Sequence, residues 1–326
     1  MMTWFRHALP NNRERLLDRM LIWTAALLAV AIVAFAAYYY LDRTLQDDGP
    51  TTGNAEHEVA AYEQAVRDDP QDIAARGALA QLYLVDGRYT EAIEQYQAVL
   101  TQDETSIGAL LGLGRAQLAA GDATAATGSF EKIITLTADA EMPGDSTEAA
   151  HYYAGSIALD QLRPADAIAH LKAAVAIEPS DADAWHMLGA AYLANGDLDE
   201  SIAALSRAVL FVPNFTEAYD KLAAAYEGKG MAGESSYAQG MAAYSRGQHG
   251  DAIRELKAAT EASPNFSPAY AGLGLTYEAR GERELAIGAY ERAVELDAND
   301  FTAQTGLARL GASAIPNAAE PTGAAP

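Results

Sequence analysis

Pro179 and Pro213 stand 34 residues apart, and Pro70, Glu104 and Ala138 close similar segments at the same interval. A fixed period of this length marks a chain built from one supersecondary unit used repeatedly. Each unit is too small to bury its apolar face alone, so neighbours must stack and share a continuous core. That excludes a single globular core for most of the 326 residues.

The segment after Pro179 shows what the unit is. It reads Trp185-His-Met-Leu188-Gly189-Ala-Ala-Tyr192, then Gly196, Ser201, Leu205, Ala208 and Pro213. This is the W-x2-L-G-x2-Y … A-x3-F … P pattern with conservative changes in its second half. The chain therefore resembles the tetratricopeptide repeat (TPR) family. The resemblance implies an all-α, right-handed superhelical solenoid of antiparallel helix pairs that holds other proteins. Gly189 and its equivalents Ala80, Gly114, Gly155, Gly240 and Gly274 are expected where two helices approach closely, with Leu188, Tyr192 and Leu205 filling the space between neighbours. Gly87, Gly121, Gly196, Gly247 and Gly281 suit the helix-to-helix turn, where a left-handed backbone favours glycine. Proline then ends the second helix of a pair.

On this ruler, residues 56–70 form a lone second helix that opens the stack, followed by repeats at about 71–104, 105–138, 146–179 and 180–213. Seven extra residues, Asp139–Asp145, form a polar loop inside this array. Pro213 to Pro264 spans 51 residues, one and a half repeats. Thr216–Glu227 and Glu234–Arg246 both read as first-type helices, separated by Gly228, Gly230 and Gly233. A first array over 56–230 with its own capping helix is thus expected to meet a second array over 231–312. The second holds repeats at about 231–264 and 265–298 and a cap at Asp300–Leu310. Residues 313–326 lack apolar periodicity and are expected to be disordered.

The N-terminal part has a different character. Residues 20–41 run for 22 positions without charge, proline or glycine. As a helix they would span roughly 33 Å, matching a hydrocarbon core of about 30 Å. Trp23 at one end and Tyr38, Tyr39 and Tyr40 at the other suit the headgroup level. The short tail 1–19 carries Arg6, Arg13, Arg15 and Arg19, whereas Asp42, Arg43, Asp47 and Asp48 open the acidic linker 42–55. The bias in basic residues predicts a single-pass anchor with a cytoplasmic N-terminus and the repeats outside the cytoplasm, periplasmic or beyond. The rival reading is a cleaved signal peptide, with Ala34-Phe35-Ala36 as the cleavage site.

Composition limits the chemistry. The net charge is −23, from 22 Lys+Arg against 45 Asp+Glu, which disfavours nucleic-acid partners because phosphate recognition needs clustered cations. The chain has no cysteine, so disulfides, thiolate metal sites and cysteine nucleophiles are excluded. Gly112-Leu-Gly114 and Gly272-Leu-Gly274 begin a phosphate-loop pattern but lie in expected helices, where glycine serves packing. Ser129-Phe-Glu-Lys132 spells SxxK without companion motifs and reads as a solvated helix face. His57-Glu58 lacks the second histidine of a zinc motif. His151 and His186, on successive first helices, are expected to approach each other as a groove-lining pair. No catalytic residue, metal site or cofactor is implied, and the chain reads as a non-enzyme.

In the TPR family the first helix of each pair lines the concave face. Carried over to this sequence, that face presents Gln81, Leu84, Leu111, Arg115, Leu118, Tyr152, Ser156, Leu159, Asp183, His186 and Leu193, with Glu217 and Asp220 from the cap. The second array adds Tyr237, Met241 and Tyr244. Family members that clamp acidic C-terminal chaperone peptides carry Lys and Asn where this chain has Gly77 and Gln81, then Leu111 and Arg115, so that activity does not transfer. The expected partner is a protein or peptide with an apolar face and a basic end. The layout is similar to bacterial single-span repeat proteins that accompany secretion or cytochrome maturation. Two functions follow: a membrane-tethered adaptor that holds a partner near the bilayer, or a permanent subunit of a larger membrane complex. An accessory domain of an enzyme complex is a third.

Overall fold

The structure is a computed structural model that describes residues 50–312, with side chains from residue 56. The tail 1–19, the expected membrane segment 20–41, most of the linker and the tail 313–326 lie outside the described residues. Among the described residues there are 15 α-helices and no strand, and none of these helices is long and apolar enough to cross a membrane.

The chain forms two compact units, one ending at Tyr83 and the other beginning at Leu84. The first contains α1 (Pro50–Asp68) and most of α2 (Ile73–Val85). The hydroxyl of Tyr83 donates to Glu63 Oε1 at 2.8 Å, and Leu79 and Ala80 are buried. The expected opening helix is thus present and begins at Pro50, ahead of the predicted residue 56.

The second unit continues with α3 (Tyr89–Gln102), α4 (Ile107–Ala119), α5 (Ala123–Leu136), α6 (Asp145–Asp160), α7 (Pro164–Ile177), α8 (Ala182–Asn195) and α9 (Leu198–Phe211). It ends with α10 (Thr216–Gly228), α11 (Ala232–Ser245), α12 (His249–Ala262), α13 (Ser267–Ala279), α14 (Arg283–Leu296) and α15 (Phe301–Arg309). Helices α4, α6, α8 and α10 pack successively as one row of first helices, and α11, α13 and α15 as another, with α5, α7, α9, α12 and α14 as second helices.

Glycine sets the helix spacing. A Cβ on Gly114, Gly155, Gly189, Gly240 or Gly274 would stand 2.4–2.6 Å from the side chain of Phe130, Leu171, Leu205, Leu256 or Tyr290 respectively. Each of these large residues is fully buried, sixteen positions after its glycine on the paired helix. Burying such a side chain stabilises by about 1.5–3 kcal/mol, so each of these five repeats contributes one such knob. The five turn glycines named from the sequence all have positive φ, between 74° and 88°. Leu162 takes the glycine's place in the turn between α6 and α7, with φ 57°.

The irregular interval behaves differently from its surroundings. Helices α10 and α11 pack directly on each other with no second helix between them in the chain, and α11 also packs on α12 and α13. Of the three glycines there, only Gly230 has positive φ. Gly233 does not interrupt a helix. It is buried in the first turn of α11, where a Cβ would come within 2.1 Å of Ser263 Oγ. One hydrophobic cluster crosses the expected junction at 230/231, running from Leu205 and Tyr219 through Ala238 and Leu256 to Tyr290 and Leu307.

Candidate functional site

A concavity forms around this irregular interval. It is a cavity of about 700 Å³ lined by Val209 and Leu210 of α9, Tyr219 of α10, Tyr237, Met241 and Tyr244 of α11, Leu275 of α13 and Phe301 and Arg309 of α15, among others. A second helix, α9, therefore shares a wall with four first helices. Its rim is apolar: Leu210 is 72% exposed and Phe301 78% exposed.

The aromatic wall is ordered by edge-to-face contacts. Tyr219 and Tyr237 have ring centroids 6.4 Å apart, and Tyr237 meets Phe266 at 5.2 Å. Such pairs hold rings in fixed orientations. Burial pushes the Tyr219 hydroxyl up to about 12, with a partly offsetting hydrogen bond to Tyr237. Burial likewise raises the Tyr237 hydroxyl well above its ordinary value, so both phenols stay neutral. The two charged groups that line it both have hydrogen-bond partners. Arg309 Nε and Nη2 donate to the two carboxylate oxygens of Glu278 at 3.0 and 2.8 Å. Tyr290 donates to the same carboxylate at 2.8 Å. These contacts, Arg309 first, hold Glu278 below the usual carboxylate range. Asp300 accepts from Ala303 N at 2.9 Å and from Ser267 Oγ at 2.6 Å.

A smaller cavity of about 350 Å³ lies within the second unit, lined by Leu84, Val85, Tyr89, Arg115, Leu118, Ala119 and Tyr153. Tyr153 stacks on Phe130 with centroids 5.1 Å apart.

The sequence-predicted residues distribute unevenly over these features. Leu84, Arg115 and Leu118 come together in the smaller cavity, and Tyr237, Met241 and Tyr244 in the larger. Met241 is only 5% exposed and belongs mainly to the core, where its sulfur packs over Gly272; its expected place as an open groove surface is corrected accordingly. Leu111, Tyr152 and Leu159 are half-buried against the clusters beneath them. Ser156 and Leu193 are half-buried, and Gln81, Asp183 and Glu217 are exposed. Asp220 pairs with Arg246.

The histidine expectation fails. His151 pairs with His170 of α7, with Nδ1 atoms 3.2 Å apart, because the antiparallel neighbour within the pair is nearer than the next first helix. His186 instead packs on Phe215 at 4.8 Å. Ser129 is also corrected: it is buried and donates to Gln117 Oε1 at 2.7 Å, while Glu131 and Lys132 of the same motif are exposed. No group of three or more His, Cys, Asp or Glu among the described residues could hold a metal ion.

Leu210 and Phe301 escaped the sequence reading. A signal existed for the first: Val209-Leu210-Phe211-Val212 is an apolar run at the end of an otherwise amphipathic helix, and Leu210, Phe211 and Val212 are all exposed.

Two family models described as tetratricopeptide repeat match the chain, one over residues 85–142 and 158–226, the other over 59–107 and 237–301. The matches stop at 226 and resume at 237, on either side of the turn between α10 and α11. No curated protein matches the sequence. Among solved structures, the C-terminal part of a TPR repeat-containing protein from Cytophaga hutchinsonii aligns with TM-score 0.51 and 15% identity, covering 79% of this chain and 96% of that one. MamA aligns with TM-score 0.49 and 26% identity over 55% of this chain and 93% of MamA. YrrB, described as a TPR protein with an unusual peptide-binding site, aligns with TM-score 0.40 and 18% identity over 75% of this chain and 96% of YrrB. With the 34-residue period, the glycine-spaced helix pairs and the family matches in agreement, the chain is a carrier of tetratricopeptide repeats.

Proposed function

We propose that this protein is a membrane-tethered scaffold whose repeats hold a partner protein or peptide close to a bilayer. The observation that carries the reading is that the first helices open apolar side chains onto two cavities. Such a surface suits protein recognition, in which apolar anchors supply affinity. The tether is residues 20–41, with four arginines ahead of it favouring a cytoplasmic N-terminus and extracytoplasmic repeats. Anchoring raises the effective concentration of a captured partner at the membrane.

A permanent subunit of a larger membrane complex is the second reading, favoured by large apolar residues left bare outside the cavities, such as Met142 and Leu162, both 88% exposed. Chemical crosslinking followed by capture from gently solubilised membranes, with a salt titration, tests both. Salt-labile substoichiometric partners support the scaffold, and a stoichiometric companion that survives high salt supports the subunit. Recovery of the chain alone refutes both. Protease added to spheroplasts tests the topology: it should digest the repeats and spare a short N-terminal fragment.

A further inference from the structure

We propose that the 700 Å³ cavity is the docking site for one kind of partner: a polypeptide segment that inserts a bulky aliphatic or aromatic side chain and carries Lys or Arg beside it. This deepens the scaffold reading and rests on it.

The cavity's position is the first argument. In a regular alternation, first helices form one row and second helices the other. Where α10 is followed directly by α11, that alternation lapses, and the end of α9 joins α11, α13 and α15 around one space. The volume falls within the roughly 300–1,000 Å³ of ligand pockets, and the walls are mainly aromatic and aliphatic.

The second argument concerns what can enter. Arg309 is held by Glu278 through two hydrogen bonds, and Asp300 is committed to the start of α15 and to Ser267. An anionic group entering would meet the Asp300 carboxylate and could reach Arg309 only by breaking its pair with Glu278, while the walls offer mainly apolar contacts. The inserted group is therefore apolar, meeting Tyr237, Tyr244 and Leu275 inside and Leu210 and Phe301 at the rim.

Charge complementarity fixes the flanks. Of the two charged residues that line the cavity, Arg309 is paired with Glu278, whereas Asp300 accepts from neutral donors, Ala303 N and Ser267 Oγ. The cavity thus presents a carboxylate that no cation pairs, in a chain that carries −23 overall. An acidic segment would be repelled, whereas a basic one is drawn in and aligned.

The test uses the full chain in nanodiscs of zwitterionic lipid, with empty discs as the control. Two fluorescent peptides serve as probes, Lys-Lys-Leu-Phe-Leu-Lys-Lys and the same core flanked by glutamates, each also made with a photoreactive phenylalanine. The lysine peptide should bind at least roughly tenfold more tightly, and less so as salt rises. Its crosslinks should fall on α9, α11, α13 and α15. Leu210→Ser and Phe301→Ser alter exposed rim positions and should keep helicity and melting while each weakens binding several-fold. Equal binding of both peptides, crosslinks elsewhere, or undiminished binding by both variants overturns the proposal. Two other occupants are outcomes that also overturn it. If deleting residues 313–326 is needed before the peptide binds, the chain's own tail fills the cavity; if Phe301→Ser abolishes a dimer, a second copy does. Capture of a membrane partner by both rim variants, with the peptides failing, would remove this site and leave the scaffold reading intact.

Discussion

A Cβ placed on Gly189 would stand 2.5 Å from Cγ of Leu205 and 3.2 Å from its backbone nitrogen. The two helices of this repeat are therefore as close as their backbones permit, and the contact fixes their separation. The hydroxyl of Ser201 adds a bond to the carbonyl of Gly189 at 2.8 Å. Gly189→Leu should cost about 1–3 kcal/mol through overpacking. By contrast, Gly128 and Gly288 lie on exposed faces with nothing near the missing Cβ. Replacing either by Ala should stabilise by about 0.5–1 kcal/mol. Thermal melts followed by circular dichroism would show the opposite signs. A neutral Gly189→Leu would remove the close-approach argument.

Leu162 offers a second test. Its left-handed backbone is found at glycine in the other helix-to-helix turns of the repeats. The conformation costs an L-residue about 1–2 kcal/mol, partly offset because glycine is more flexible when unfolded. Leu162→Gly should therefore raise stability by up to about 1 kcal/mol, visible as a higher denaturant midpoint with an unchanged slope.

Glu148 makes stability depend on pH. Burial first, then the neighbouring Asp181, Glu178 and Asp145, push its carboxyl up to about 7, and one of its oxygens is buried without a partner. The folded state thus keeps a proton that the unfolded chain releases nearer 4.5. The resulting stabilisation is complete below the unfolded value and is lost as pH rises through about 7. Glu148→Gln should melt higher than the parent at about pH 8 and nearly alike at about pH 5. A difference that does not change with pH would contradict this.

The His151–His170 pair works in the reverse sense. Burial lowers both rings, for His151 reinforced by His170 and for His170 opposed by Glu131 and Asp166. Folded rings below the usual 6.5 mean that the unfolded chain takes up protons first as pH falls. Their contribution is therefore present above 6.5 and lost as pH falls below it through the lowered folded values. His170→Gln should flatten the acid side of the stability profile. Two NMR titrations with midpoints at or above the ordinary histidine value would refute the burial argument.

The continuous cluster from Leu205 to Leu307 bears on the two-array expectation. Cutting the chain at 230/231 would uncover Tyr219 and Leu222 on one side and Ala238 and Met241 on the other. Fragments 84–230 and 231–312 should each lose stability, the second more, because a repeat depends on its neighbours. If fragment 231–312 melts like the intact chain, the arrays are energetically independent.

Much of the helical frame was legible because a repeat writes its geometry into fixed spacings. Gly114, Gly155, Gly189, Gly240 and Gly274 all mark close approaches, and each turn glycine named from the sequence has the backbone it was assigned. The larger cavity was only partly legible. Tyr237 and Tyr244 were visible from the spacing, but Leu210 and Phe301 are brought to one rim by packing across several helices. No local pattern encodes that. His151 was misassigned because the period places it on a helix face without saying whether its nearest polar neighbour belongs to the same pair or to the next.

Tyr290 sits between two glycines, Gly274 of α13 and Gly306 of α15, whose missing Cβ atoms would each stand 2.4 Å from its ring. Its hydroxyl meets Glu278, which in turn grips Arg309 near the end of α15. Fraying of the last helix thus uncovers a whole aromatic ring and releases the Glu278–Arg309 pair together. Loss of the terminal helix therefore costs a buried ring and an ion pair together, which gives this end of the stack a latch rather than a loose end.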